Sequence, residues 1–260
     1  MKHKTLYFGF GFSLLALLVL RVCQLAFAVE AHTGFYKPEY ENFWIISAIA
    51  IVVGIAIITC FSFVDVDAES RKKESKWMAI FYLLAAVGFG FKAFFTTFDS
   101  TTAIIDATAI AAMLSLASMA IYLIFAYFTY INKTPKTYFL VVPSIFWIFE
   151  LISIFIRNND VSSVPERVYE TLSSVLCILF SLYLVKEKGG MLTKITTKIM
   201  VALSLVTSVF CLILSLPNIL LIISGNGNLL HNPQISSVLY LAFGIYIPAY
   251  IFSTFNLKKS

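Results

Sequence analysis

Charge is scarce in this chain. Asp, Glu, Lys and Arg make up 13% of it, where a soluble domain carries about a quarter. Long polar stretches are also missing. The widest gaps between apolar runs are Val29–Asn42, Asp65–Lys76, Ile156–Val168 and Gly225–Ile235, each far below the ~50 residues of the smallest folded domains. This excludes an attached kinase, nucleotide-binding or DNA-binding module. Histidine is nearly absent: His3, His32 and His231 all lie outside the apolar runs. No run can therefore present a paired-histidine zinc motif or a Ser–His or Cys–His couple. No run carries a carboxylate pair either. Glycine is too sparse for a phosphate cradle, since Gly9-Phe10-Gly11 and Gly88-Phe89-Gly90 are only fragments of one. The four cysteines, Cys23, Cys60, Cys177 and Cys211, stand inside apolar runs without a CxxC partner. That is the setting of a small apolar residue rather than of a disulfide or metal ligand. No cofactor is implied.

What the chain has instead is apolar length. It is 60% hydrophobic and 16% aromatic. Apolar runs cover roughly residues 5–29, 43–64, 77–98, 107–130, 138–156, 169–185, 199–224 and 236–256. Each is long enough, at ~1.5 Å per residue, to cross a hydrocarbon core ~30 Å thick. The cations alternate between gaps. Lys2 and Lys4, then Arg71, Lys72, Lys73 and Lys76, then Lys133 and Lys136, then Lys186, Lys188, Lys194 and Lys198, and finally Lys258 and Lys259 fall on one side. The other side holds Lys37, Arg157 and Arg167. Fourteen cations against three over short loops predict an all-α membrane protein, a single domain over residues 1–260. It is a bundle of eight transmembrane helices with both termini cytoplasmic.

The net charge of +5 does not mark a nucleic-acid binder, because the cations are spread over helix ends and form no stripe with interleaved aromatics. The partner they imply is the lipid bilayer and its anionic headgroups. The N-terminus needs its own decision. Met1-Lys2-His3-Lys4, an apolar stretch and Ala26-Phe27-Ala28 have the form of a signal peptide with its cleavage site. Arg21 interrupts that stretch, which is also long enough to span, so the expectation is an uncleaved first helix. Cleavage would leave seven helices in the same orientation.

Several runs carry small or weakly polar residues at helical spacing. These are Ser47, Ala50 and Gly54 in the second; Ala107, Ala111, Ser115 and Ser118 in the fourth; Glu170, Ser173, Ser174, Cys177 and Ser181 in the sixth; and Ser204, Ser208, Cys211, Ser215 and Asn218 in the seventh. Offsets of three and four keep each set on one face. Such faces either let helices approach closely in lipid or, in the sixth and seventh, line a polar cavity. Pro143, Pro217 and Pro248 are expected to kink their helices. Ser163 to Glu166 reads as a capping box, and Gly189-Gly190 and Gly225-Asn226-Gly227 read as turns. No internal repeat is visible.

Three ionisable residues stand within the runs: Arg21, Lys92 and Glu150. An ionised side chain at a helix centre costs at least ~2.5–3.5 kcal/mol on insertion scales, so such residues turn toward the bundle interior. All three lie a few residues past the middle of an outward-running helix, in one layer about 5–8 Å outward of the midplane. Gln24 accompanies Arg21, Ser153 accompanies Glu150, and Asn218 lies in the same half; Asp106 and Glu170 stand at the mouths. The inner halves show nothing comparable. The candidate ligand-binding residues are Arg21, Gln24, Lys92, Glu150 and Asn218. The alternatives are snorkelling cations and a purely structural ion pair. Two cations and one anion leave a positive charge that suits an anionic ligand, unless Asp106 and Glu170 cancel it.

The segment Arg21-Val22-Cys23-Gln24-Leu25, followed by Glu30-Ala31-His32-Thr33-Gly34-Phe35-Tyr36, resembles a pattern in uncharacterised multi-pass membrane proteins of clostridia-like bacteria. The resemblance implies a bacterial cytoplasmic membrane and carries no activity. Two functions compete. One is a transporter or sensor-like subunit binding a small ligand in an outward-facing polar pocket. The other is a non-catalytic partner or assembly subunit whose charges pair with another membrane protein.

Overall fold

The computed structural model describes residues 5–29, 36–40, 42–71, 74–99, 107–133, 135–157, 165–224 and 235–257. Eight helices appear: α1 Thr5–Cys23, α2 Phe43–Asp65, α3 Met78–Asp99, α4 Ala107–Tyr130, α5 Val141–Arg157, α6 Pro165–Lys188, α7 Lys194–Ile223 and α8 Ile235–Thr254. With its flanking turns, each is long and apolar enough to cross a membrane. The described residues are all-α apart from a small antiparallel ladder, β1 Val66–Arg71 with β2 Phe255–Leu257, and a single bridge between Val29 and Tyr36, neither of which the hydropathy pattern foreshadowed. Asp106, Ser163, the three histidines, Lys2, Lys4, Lys72, Lys73, Lys258, Lys259, residues 30–35 of the resemblance motif and the Gly225–Gly227 turn lie outside the described residues.

The helices alternate in direction. Gly54 of α2 meets Leu17 of α1, while Gly9 meets Phe61. Across α3 and α8, Tyr82 faces Tyr246, Gly88 faces Ala242, and Lys92 faces Ser236. Across α6 and α7, Cys177 meets Cys211 and Glu166 meets Asn218. One end of the bundle therefore collects the finish of α1, α3, α5 and α7; we call it the far end. The near end carries the β1–β2 ladder. There Lys198 Nζ donates to the Phe63 carbonyl at 2.6 Å, placing a cation on the last turn of α2 where the helix dipole favours it.

Helix α7 is the axis: 83% of its apolar window is buried, against 28% for α1 and 22% for α2, which pack on it as an outer pair. The small-residue stripes of α6 and α7 face inward as a packed seam. Ser173, Ser174, Cys177, Ser204, Ser208, Cys211 and Ser215 are all fully buried. Ser208 Oγ donates across to the Gly244 carbonyl at 2.6 Å, and Ser204 and Ser215 bond their own preceding turns. Of these stripes, Glu170 and Asn218 line a small cavity at the far end. Below it the core is aromatic. Phe89 packs on Phe146, Phe243 and Tyr122 at centroid distances of 5.0, 5.3 and 5.4 Å, a spacing at which ring pairs add ~0.5–1.5 kcal/mol beyond area burial.

Helix boundaries follow the apolar runs closely except at α6 and α7. These continue into the polar segments Pro165–Val168, Lys186–Lys188 and Lys194–Lys198, because helical hydrogen bonding does not stop where hydropathy does. A capping box of Thr193 with Thr196 opens α7. Pro217 and Pro248 are internal to their helices. Pro143 falls in the first turn of α5, where a missing N–H is tolerated, so the expected interruption does not arise there.

Glycine at 88 allows the closest approach of α3 to α8: a Cβ there would stand 2.8 Å from Ala242 Cβ and 3.3 Å from the Leu239 backbone. Gly11 has nothing within 4 Å. Gly88→Leu should lower stability by at least ~1–3 kcal/mol through overpacking, while Gly11→Leu should change it little. Thermal melts in detergent check this contrast, and equal effects would contradict the packing.

Candidate functional site

The structure brings the five sequence-selected residues to the far end, in two groups on either side of a small void. The first group is an ion pair. Lys92 Nζ, on α3, lies 2.7 Å from Glu150 Oε1, on α5, with side chains 5% and 1% exposed. Lys92 also donates to Ser236 Oγ of α8 at 3.0 Å. Local sequence explains the placement. Lys92 follows Ala85 and Gly88 down the face of α3 that packs on α8, and Ser153 extends the buried face of Glu150. The expectation that Glu150 meets one of the two cations holds, and its partner is Lys92.

The second group surrounds Arg21, which is fully buried. Helix α1 changes here from α to a π-helical turn, Gln24–Ala28, a widening common where side chains serve a site. Arg21 Nη1 donates to Gln24 Oε1 at 2.7 Å. Gln24 Nε2 in turn donates to the Tyr36 hydroxyl. Burial pushes the Tyr36 phenol up, opposed by Gln24 and Arg21, so this acceptor stays neutral. The guanidinium lies 4.7 Å from the Tyr169 ring centroid, a cation–π contact. Ser47 of α2 is within hydrogen-bonding reach of both phenols. The Glu166 carboxylate acts on Arg21 electrostatically. Arg21 therefore does not pair with Glu150; its counter-charge comes from the first turn of α6.

Asn218 joins the two groups. Its Nδ2 donates to Glu166 Oε1 at 3.0 Å and, more weakly, to Ser237 Oγ at 3.4 Å. Glu166, Glu170, Asn218, Ser236, Ser237 and Tyr240, floored by Leu214, enclose a void of about 10 Å³, the size of about one water molecule. Glu170, expected at the mouth of α6, is buried in this lining. Glu166 and Tyr240 were missed by the sequence reading. Glu166 looked like a loop residue of a helix cap, and Tyr240 like an ordinary core aromatic.

The near end corrects the expectation that the inner halves hold nothing comparable. Glu187 is buried and accepts from the Tyr250 hydroxyl at 2.5 Å. Lys188 pairs with Glu74, which also accepts from Tyr82 at 3.3 Å. These residues sit in segments that read as cytoplasmic loop. No cluster of three or more His, Cys, Asp or Glu able to hold a metal ion occurs among the described residues.

Glu150→Gln should leave Lys92 buried without its anion and cost ~3–5 kcal/mol. Adding Lys92→Met to Glu150→Leu should recover most of that loss, because the desolvated charges then disappear together. Adding Arg21→Gln to Glu150→Gln should not. Denaturation midpoints of the single and double variants check this, and rescue through Arg21 would overturn the pairing. Compared with known proteins, this chain matches no protein-family model, no curated protein and no solved structure.

Proposed function

We propose that this chain is a multi-pass protein of the cytoplasmic membrane of a bacterium, with both termini cytoplasmic. Its far-end void is the recognition site for a small solute in a transporter or sensor-like subunit. Eight helices of spanning length and the cationic bias of the near-end loops support the threading. The observation that carries the site is the void itself. It is a polar cavity at the junction of α6, α7 and α8, flanked by the Lys92–Glu150 pair and the Arg21 group. Buried ionisable groups within a membrane span are costly, and they gather at ion and substrate pathways. At about 10 Å³ the space between these side chains admits about one water, so binding of anything larger requires α6 or α8 to move. The charge expected of the solute changes with the inventory. Arg21 and Lys92 are matched by Glu150, Glu166 and Glu170, all buried, and this set no longer favours an anion.

A second reading, an assembly subunit, draws on the outer pair α1 and α2. Phe8, Phe12, Trp44, Ile49 and Val52 are exposed there and need lipid or another membrane protein to cover them. The internal charges do not support this reading, because Lys92 and Glu150 satisfy each other.

In a variant lacking native cysteines, Ser224→Cys should react with an impermeant thiol reagent applied to intact cells, and Lys133→Cys should not. Ser237→Cys should react slowly from outside, at the rate at which the void opens. Labelling at 133 from outside would overturn the threading, and complete protection at 237 would overturn an outward-opening site.

A further inference from the structure

We infer that the side edge of the buried Arg21 guanidinium binds the carboxylate of a small monoanionic ligand. This site stands apart from the void, because Arg21 is not among the residues that line the void.

The first observation is how Arg21 spends its donors. A guanidinium carries five N–H donors in one plane, and Nε and Nη2 share an edge with two parallel N–H groups. Arg21 is fully buried, yet neither Nε nor Nη2 has a hydrogen-bond partner among the described residues. The donor in use, Nη1, goes to the neutral amide of Gln24 at 2.7 Å. An arginine serving as structural glue would turn its paired edge to a carboxylate. Buried donors left over in this way call for a partner. Two parallel donors match the two oxygens of a carboxylate.

The second is the placing of the neighbouring charges. Lys92 has the Glu150 carboxylate at 2.7 Å. Glu166 acts on Arg21 through its field, while its Oε1 accepts from Asn218 at 3.0 Å. Glu170 and the half-buried Arg167 have interactions of their own. Net charge does not select an anion at this end; the geometry of one guanidinium does.

The third is rigidity. Gln24 can meet Arg21 only through its amide oxygen, since a guanidinium has no acceptor. Its nitrogen is thereby aimed at the Tyr36 hydroxyl, to which it donates. The Tyr169 ring lies against the guanidinium at 4.7 Å, and Ser47 is within reach of both phenols. The edge is therefore fixed in direction before a ligand arrives, as bidentate recognition requires.

The class of ligand follows. One guanidinium neutralises one carboxylate, whereas a dianionic phosphate or sulfate would leave surplus negative charge in the field of Glu166. A lipid phosphate does not reach the site, since Arg21 lies roughly 10 Å along the helix from Ala28, below the headgroups. Entry requires α1 and α2, with only 28% and 22% of their apolar windows buried, to part from α6.

The test is thermal unfolding of the purified full-length protein in detergent, at fixed pH and ionic strength. Sodium formate, acetate, lactate and benzoate are compared with sodium chloride, sulfate and phosphate and with acetamide. The expected result is a saturable rise in midpoint of several degrees with at least one carboxylate, and none with chloride or acetamide. The same carboxylate should slow backbone hydrogen exchange at Gln24–Ala28 and at the start of α6 in the wild-type protein, a readout that needs no variant. Arg21→Lys keeps the charge but loses the paired edge, and it should weaken binding at least tenfold. A carboxylate response no larger than that of chloride would overturn the site, as would tighter binding of sulfate or phosphate. Unchanged binding in Arg21→Lys, or protection confined to other helices, would overturn it too. If carboxylates fail while Ser237→Cys reacts from outside, the Arg21 site is wrong and the void reading stands. If carboxylates bind as expected while Ser237→Cys is fully protected, the Arg21 site stands and the void reading fails.

Discussion

The ion pair of Lys92 with Glu150 decides how one end of this bundle closes. It ties α3 to α5, and through Ser236 it ties both to α8. In the interior of an apolar bundle neither charge can be left alone, because each would cost several kcal/mol without its partner. The pair therefore restricts the rotation of α3 and α5, since turning either helix by one residue carries its charge toward the surface. The close approach at Gly88 and the rings around Phe89 lie about one turn below Lys92, so the aromatic core and the charged layer share one register. If α3 shifts, both are lost.

Arg21 obeys the same constraint by another route. Its charge is spread over an amide, an aromatic face and the field of Glu166. That arrangement ties the outer pair, packed on α7, to the start of α6 through the contact of Arg21 with Tyr169. The π-helical turn after Cys23 is how α1 reaches this geometry. Asn218, Ser236 and Ser237, which border the void, stand between the two charged groups. A movement of α8 relative to α7 would open the void and disturb the Lys92–Ser236 contact at once. The shape of the void is thereby tied to the packing of three helices.

Much of this was legible in the sequence, for a physical reason: long apolar runs and small-residue periodicity are local properties. The eight helices, the inward faces of α6 and α7, and the gathering of Arg21, Lys92 and Glu150 at one end follow from run length, spacing and the cost of buried charge. Pairing is not local. Nothing in the spacing of Arg21, Lys92 and Glu150 says which cation Glu150 meets; the angles at which α1, α3 and α5 sit around α7 decide it. Glu166 reads in the sequence only as part of a helix cap, and Glu187 and Lys188 as loop, because hydropathy falls before helices end. The anionic-ligand expectation held only if Asp106 and Glu170 did not cancel the surplus positive charge, and Glu170 is buried in the lining of the void. Glu166, also at the start of α6, adds a further buried carboxylate to the same lining.

The claim on which this account depends is that Glu150 is neutralised inside the bundle by Lys92 and not by Arg21. An experimental structure of the protein in a lipid nanodisc, at a resolution that places side chains, tests it most directly. The account predicts Lys92 Nζ within hydrogen-bonding distance of both Glu150 and Ser236, with Arg21 stacked on Tyr169 on the opposite side of the Asn218 void. Glu150 or Lys92 turned to the lipid, or Glu150 paired with Arg21 instead, would contradict it.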